Sequence, residues 1–397
     1  MSSIVVLSSY YLDKPSANGI CARYLVDSFR KAGHSVYVIC YDSGPISEDD
    51  NPDYTFTIPV PCSNNRKSLL DKVKVLLHLM VGSSKPFFNL EIVDAYKRRI
   101  IEIQRIEKID AIIAMFFPFE STEAMYEYGR VDASVKTFIY ELDSVGDGVS
   151  SFTFFSSIYN RRYKQWMERC YNSISSILVM KSHEDYWREN YGKRFANKLS
   201  IVDFPLLSNK VVLSDHDKDR FVFLYSGLIE KRYRSPEYLL SVLKELDKKL
   251  NFDFYFFSKG DCEESINAIS HEVLGIKQMG FVSPKVLDEE IKKANCLISI
   301  GNSFSRSVPS KIIHYLSYGK PIIHFSSQEH DVCSEYLENY PHALIINQSD
   351  SVEESCNRII TFLDSFGDKV LDFEIIKKAF PQNDPMFSVD SIVKRLR

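Results

Sequence analysis

The stretch CLISIGNSFSRSVPSKIIHYLSYGKPIIHF, Cys296 to Phe325, decides the fold. CLISI is a continuous apolar run, the pattern of a strand buried on both faces. Gly301 and Asn302 break the run and a polar loop follows. Pro309 suits the first helical position, where its missing N–H has no partner in any case, and Ser307 is the expected cap just before it. The helix predicted over Ile312, Ile313, Tyr315 and Leu316 stops at Gly319, and Pro321 leads into the next strand, IIHF. Strand, loop, helix and strand in succession make a parallel βαβ unit. Its loop offers free backbone N–H groups at a helix start, with Ser310 and Lys311 beside them. Such an arrangement suits a phosphate or another anion.

The same alternation runs through the rest of the chain. SIVVLS at 3–8, a helix from about Ile20 to Ala32 and SVYVICYD form an opening βαβ unit, with Asn18-Gly19 at the helix start. Strands follow at YTFTIPV, IDAIIAM, KTFIYEL, SSILVMKS and KLSIVDFP. The segment 207–219 is polar and without period, and reads as a linker. RFVFLYSG restarts the alternation, which continues with helices through FDFYFFS, QMGFVS and the opening stretch; ALIIN follows as a further strand, with a helix at 351–366 after it. The expected fold is therefore α/β, with two doubly wound Rossmann-like domains facing a cleft. Their ranges are 1–206 and 220–375, with 376–397 as a final crossover segment.

Composition narrows the function. The 397 residues carry a formal net charge of -4, and the acidic excess falls after residue 206. No basic stripe points to nucleic acid. The eight cysteines are scattered with no C-x-x-C pair, which predicts a reducing cytosol and no metal. The amino-terminal apolar run is too short for a signal peptide, and no run reaches bilayer length. Residues 66–82 form a basic amphipathic pattern, with Lys72 and Lys74 outside an apolar face. That pattern fits either a membrane-surface contact at the inner face or a helix packed on its own domain. Neither the dinucleotide nor the P-loop glycine fingerprint is present.

Candidate chemistry lies at strand ends, where open α/β sheets bind ligands. In the first domain these positions are Asn18, Gly19 and Asp143. Asn18-Gly19 reads equally as a plain tight turn, and Asp143 equally as a helix cap. In the second domain the loops hold Gly227, Lys231, Arg232 and Arg234, then Gly280 and Phe281, then Gly301, Asn302, Pro309, Ser310 and Lys311. Arg234 and Lys311 facing a helix start could hold a diphosphate without metal, whereas Lys231 reads as a solvated surface charge.

YSGLIEKRYRSPEYLLSVLKEL, MGFVSPKVLDEEIKKANCLISIGN and VPSKIIHYLSYGKPII together resemble the carboxyl-terminal domain of GT-B fold glycosyltransferases of the family-4-like class. PSANGICARYLVDSFRKAGHSVYVICYD is similar to that class's opening segment. The resemblance implies a retaining, metal-independent glycosyltransferase that moves a sugar from a nucleotide-diphosphate sugar, UDP-linked by preference, to a glycan or lipid-linked acceptor. A role in bacterial surface polysaccharide synthesis is the implied context. It also implies a last helix that crosses back to the first domain. Arg234, Lys311 and Ser310 would hold the diphosphate, Gly280-Phe281 would border the base, and Gly301-Asn302 would shape the sugar pocket. The class's Glu-x7-Glu pair falls at Arg306 and His314, neither of them acidic, and His314 is the residue left to meet the ribose. The class's Gly-Arg becomes Gly227-Leu228, which shifts the phosphate role to Arg232 or Arg234. An inactive assembly subunit and a nucleotide-sugar 2-epimerase are the rival readings. The missing acids favour the subunit, while the second domain's shortage of carboxylates disfavours the epimerase.

Overall fold

The computed structural model describes residues 1–13, 16–61, 88–142, 156–212, 220–303, 308–328, 331–367 and 369–396. The basic segment 66–82, Asp143 and Arg306 lie outside the described residues, as does the expected cap Ser307.

The chain divides into two compact units, Met1–Pro205 with Pro385–Arg397, and Leu206–Asp384. The first unit runs β1 (Ser3–Leu7), α1 (Ala17–Lys31), β2 (Ser35–Tyr41), β3 (Thr55–Ile58), α2 (Leu90–Ile106), β4 (Ala111–Met115), α3 (Phe119–Val131), β5 (Lys136–Glu141), α4 (Ser156–Ser173), β6 (Ser176–Met180), α5 (Glu184–Phe195) and β7 (Leu199–Val202). These seven strands form one parallel sheet in the order β3-β2-β1-β4-β5-β6-β7. The order reverses at β1, so helices cover both faces. For that reason β1 (SIVVL) and β4 (AIIAM) are apolar at nearly every position and buried throughout.

The second unit repeats the plan with β8 (Phe221–Ile229), α6 (Glu237–Leu246), β9 (Phe252–Gly260), α7 (Glu263–Glu272), β10 (Ile276–Gln278), α8 (Pro284–Lys293), β11 (Cys296–Ile300), α9 (Ser310–Leu316), β12 (Ile322–Ser326), α10 (Val332–Leu337), β13 (Ala343–Asn347), α11 (Val352–Phe366) and α12 (Phe373–Ala379). Its six parallel strands follow the order β10-β9-β8-β11-β12-β13. The chain closes with α13 (Pro385–Val393), which belongs to the first unit. There the Ser388 hydroxyl lies 2.9 Å from the buried Tyr140 hydroxyl, and Arg395 donates to the Asn197 and Leu199 carbonyls. A polar anchor of this kind fixes where a short helix sits, because a buried hydroxyl without a partner costs about 1–3 kcal/mol.

The expected two doubly wound α/β domains are thus present, with the crossover helix returned to the first. The boundaries differ from the expected ranges. Residues 206–212 are not a free linker: Ser208 N donates to Ser317 Oγ and Lys210 N to the Ser317 carbonyl, pinning the segment to the end of α9. At the far end, α12 stays in the second unit, and the crossover begins at Pro385 rather than at 376. The helices α10 and α12 fall in stretches with no clear apolar period, so they went unpredicted. Among the described residues, no helix is long and apolar enough to cross a membrane.

Candidate functional site

The carboxyl ends of β8 and β11 and the start of α9 bring Gly227, Arg234, Asn302 and Lys311 together. β8 runs past its expected end to Ile229, with Gly227 at a φ of +123° that side-chain-bearing residues rarely adopt. A Cβ there would touch only the Lys311 stem, 3.8 Å away. A turn follows, closed by Arg234 N donating to the Glu230 carbonyl, and it folds the Arg234 side chain back over the strand end. The guanidinium donates from Nε and NH2 to Asn302 Oδ1, at 3.0 and 2.5 Å, and from NH1 to the Leu228 carbonyl at 3.1 Å. The loop after β11 is held from its own side by Gln328 Nε2 donating to the Asn302 carbonyl and by Ser303 N donating to the Tyr233 carbonyl.

Lys311 comes from the first turn of α9. That helix is tied to β8 by the Tyr315 hydroxyl, which accepts from Ser226 N and lies 2.9 Å from Ser226 Oγ. The Lys311 Nζ is sealed from solvent and has no hydrogen-bond partner among the described residues. It sits 4.0 Å from the centre of the Tyr225 ring. Burial, and then the neighbouring Arg234, hold its pKa well below the usual lysine value. No carboxylate among the described residues pairs with Arg234 or Lys311. An ammonium in this position is costly unless an anion joins it.

The helix itself contributes less than expected. Pro309 occupies the cap position, with extended backbone at ψ 134°, and not the first helical turn; the helix is only 7 residues long and no side chain caps it. A helix this short sums few peptide dipoles. The anion-binding capacity of the site therefore rests on the two cations, with Pro309 and Ser310 supplying its edge.

His314, one turn further along α9, is engaged. Its Nε2 lies 3.0 Å from Asp288 Oδ1 and 3.1 Å from Lys210 Nζ, and Lys210 makes a 2.8 Å ion pair with Asp288 Oδ2. The Tyr318 hydroxyl donates to Asp288 Oδ1 at 2.6 Å. Burial lowers the His314 pKa, so the imidazole is neutral. Burial alone would raise Asp288, but the bonds from His314, Lys210 and Tyr318 carry it below the usual carboxylate range. A carboxylate thus stands beside position 314 after all, delivered by α8. Sequence reading missed Asp288 because it searched for an acid at a fixed spacing along α9. It missed Lys210 because that residue sits in a stretch read as linker.

Other predicted positions scatter. Arg232 is exposed, its guanidinium 5.4 Å from the centre of the Tyr233 ring, and it does not join Arg234; Lys231 is exposed too, with only its backbone N–H bonded, to Asp261 Oδ1. Gly280 (φ +72°) ends the β10 loop, and Phe281 is 58 % exposed with Lys259 Nζ 4.7 Å from its ring centre. That leaves the Phe281 ring exposed on the strand-end side of the second unit. Gly301 donates its N–H to the Phe325 carbonyl, and a Cβ there would come within 2.7 Å of Asp331 Oδ2.

In the first unit, Asn18 and Gly19 lie inside the first turn of α1, capped by Ser16 Oγ accepting from Gly19 N, and not in a loop before it. A Cβ on Gly19 would meet the Tyr10 carbonyl oxygen at 2.1 Å. Gly19 therefore serves the chain's own 8–13 loop, while Asn18 borders a small pit with Met115, Phe116, Phe117 and Leu142.

Residues 220–365 match the family model described as Glycosyl transferases group 1. No individual curated protein sequence matches the chain. Its fold is similar to that of sucrose-phosphate synthase from Thermosynechococcus elongatus (TM-score 0.64, 13 % identity, covering 100 % of this chain and 99 % of that one). It is also similar to the lipopolysaccharide outer core galactosyltransferase WaaB (TM-score 0.61, 12 % identity, 100 % of both chains). A third similar structure is HepE of Anabaena in complex with UDP-glucose (TM-score 0.59, 12 % identity, 98 % of this chain and 100 % of that one). Residues 220–365 thus carry the group 1 glycosyl transferase match, and the fold of the chain is similar to that of these GT-B structures.

Proposed function

We propose that the protein transfers a glycosyl unit from a nucleoside-diphosphate sugar to a glycan or lipid-linked acceptor. The observation that carries the reading is Lys311: a buried ammonium with no partner among the described residues, beside an arginine that no described carboxylate pairs, at the strand ends of the region matching the group 1 model. A diphosphate supplies the missing anion. As the sugar C1–O bond breaks, negative charge grows on the departing diphosphate. Lys311 and Arg234 are already in place to receive it, and a preorganised cation costs no reorganisation at that moment. Asn302 aims Arg234, and the Gly301 backbone shapes the sugar side. The neutral His314 imidazole donates through Nε2 to Asp288, which Lys210 also pairs, and this leaves Nδ1 to accept a hydrogen bond from a ribose hydroxyl. Phe281 offers a face on which a base can stack.

The charge stabilisation comes from side chains of the protein, so the reading needs no metal ion and no cofactor beyond the sugar nucleotide. Retention of configuration is part of the proposal. UDP is the favoured nucleotide, since the similar HepE is described in complex with UDP-glucose. The acceptor context is bacterial surface polysaccharide at the cytoplasmic face of the membrane. The similarity to a lipopolysaccharide galactosyltransferase supports that context.

A panel of sugar nucleotides carrying UDP, GDP, ADP and dTDP tests the reading by thermal shift, followed by product analysis of the one that stabilises. Stabilisation by one nucleotide class, with slow hydrolysis or transfer of its sugar, supports the transferase. Stabilisation without any turnover would point to the inactive subunit, and no stabilisation by any of them removes the reading.

A further inference from the structure

We propose that His324, Asp331 and Cys333 bind a borderline transition-metal cation, zinc foremost, at a buried site that the glycosyl-transfer reading does not use. One ligand atom from each of the three lies within 4.8 Å of the others, and all three residues are buried. His324 lies in the middle of β12, and Asp331 and Cys333 stand at the start of α10, so the two elements bring a nitrogen, an oxygen and a sulfur donor together. This mixed donor set suits zinc, and it does not suit magnesium or calcium, which prefer oxygen alone.

The local geometry holds the ligands ready. Asp331 Oδ1 accepts from Cys333 N at 3.0 Å, which orients the carboxylate, and its Oδ2 lies 2.6 Å from His324 Nε2. With Zn–N and Zn–O bonds of about 2.0–2.2 Å, tetrahedral ligands stand about 3.3 Å apart, so this pair must open by only about 0.7 Å. Gly301 lies directly beside Oδ2, where a Cβ would come within 2.7 Å; the glycine keeps that flank clear.

A second observation concerns the far side of the ring. His324 is 0 % exposed, yet its Nδ1 has no partner among the described residues. Ser299, its register partner on β11, is also buried with an unpartnered Oγ. Side chains at paired positions of parallel strands share a face. A cation on Nε2 would fix the proton on Nδ1, and Ser299, whose Oγ does not bond Nδ1 in this structure, would have to shift to accept it. Metal-bound histidines usually have such a partner on the second nitrogen.

The charge balance closes. A divalent cation meets one carboxylate and one thiolate, so the filled site is neutral beside Lys311. The Cys333 thiol loses its proton to solvent as the metal–sulfur bond forms, and nothing is oxidised or reduced. Sequence reading excluded a metal because it looked for paired cysteines. A His-x6-Asp-x-Cys spacing across a strand and a helix start carries no such signature.

Cobalt(II) titration of the whole protein, read by absorption, tests the site, because thiolate ligation gives an intense near-ultraviolet charge-transfer band. Equilibrium dialysis against zinc gives the stoichiometry in parallel. The expected result is one tightly held ion per chain, a cobalt–thiolate band, and loss of both in Cys333→Ser, with at least a tenfold fall in affinity in Asp331→Asn. A wild-type protein that shows no band at saturating cobalt overturns the proposal whether or not the variants fold, and so does a band that survives in folded Cys333→Ser.

Discussion

Arg234 grips the side-chain carbonyl of Asn302 with two N–H groups, so the loop after β11 aims the guanidinium without neutralising it. A neutral acceptor orients a cation and leaves its charge free for a ligand. A carboxylate would orient it equally well and cancel the charge. Asn302→Asp should therefore weaken nucleoside-diphosphate binding by tenfold or more, about 1.4 kcal/mol, while Asn302→Ala costs less. Isothermal titration of both variants checks the order. An Asn302→Asp protein that binds like wild type would show that Arg234 plays no part in anion binding.

Lys311 makes the ligand-free protein less stable than it needs to be. Burying an ammonium with no acceptor opposes folding, and the contact with the Tyr225 ring returns only about 0.5–2 kcal/mol. Lys311→Met keeps most of the stem volume and removes the charge. It should raise the stability of the ligand-free protein by about 1–3 kcal/mol, measured by urea unfolding at neutral pH. A site retained for function at the expense of stability behaves this way.

Phe281 separates recognition of the base from recognition of the diphosphate. Its ring is exposed and flanked by Lys259. If a base stacks there, Phe281→Ala should cost about 1–3 kcal/mol in binding a nucleoside diphosphate and leave inorganic diphosphate unaffected. Competition titrations with the two ligands read the difference directly. Equal losses for both would place the base elsewhere.

Glu141 gives the first unit a pH dependence. It ends β5, is fully buried, and accepts from the Tyr171 hydroxyl and Trp187 Nε1. Burial raises its pKa from 4.5 to about 8, against the lowering effect of those two bonds. In this window the folded protein holds a proton that the unfolded chain has released. The stability contribution is complete below pH 4.5 and is lost as pH rises towards 8, at up to about 1.4 kcal/mol per pH unit. Glu141→Gln mimics the neutral acid and removes this loss. Denaturant unfolding at pH 6 and pH 8.5 should show the variant gaining on wild type at the higher pH; parallel pH profiles would mean the carboxyl is ionised when folded.

The sequence reached the architecture because parallel strands covered on both faces are near-continuous apolar runs. SIVVL, AIIAM, CLISI and ALIIN could be read without context. The units' edges were harder, since residues 206–212 are polar in sequence and acquire their place only by bonding to Ser317 on α9. Within the site, Lys311, Arg234 and Asn302 were legible because each sits next to a turn or helix start. Asp288 was not, because its partners Lys210, His314 and Tyr318 come from two other segments. Gly19 was read equally as a position bordering a ligand and as part of a tight turn; the space it keeps open is taken by the Tyr10 carbonyl.

The central claim is that Lys311 and Arg234 hold a nucleoside diphosphate. Isothermal titration of wild type, Lys311→Met and Arg234→Gln with UDP, and with GDP, ADP and dTDP in parallel, tests it most directly. Wild type should bind one of the four with one site per chain. Both folded variants should lose that binding by at least tenfold. Binding of any of these nucleotides that is undiminished in the folded Lys311→Met protein would contradict the account.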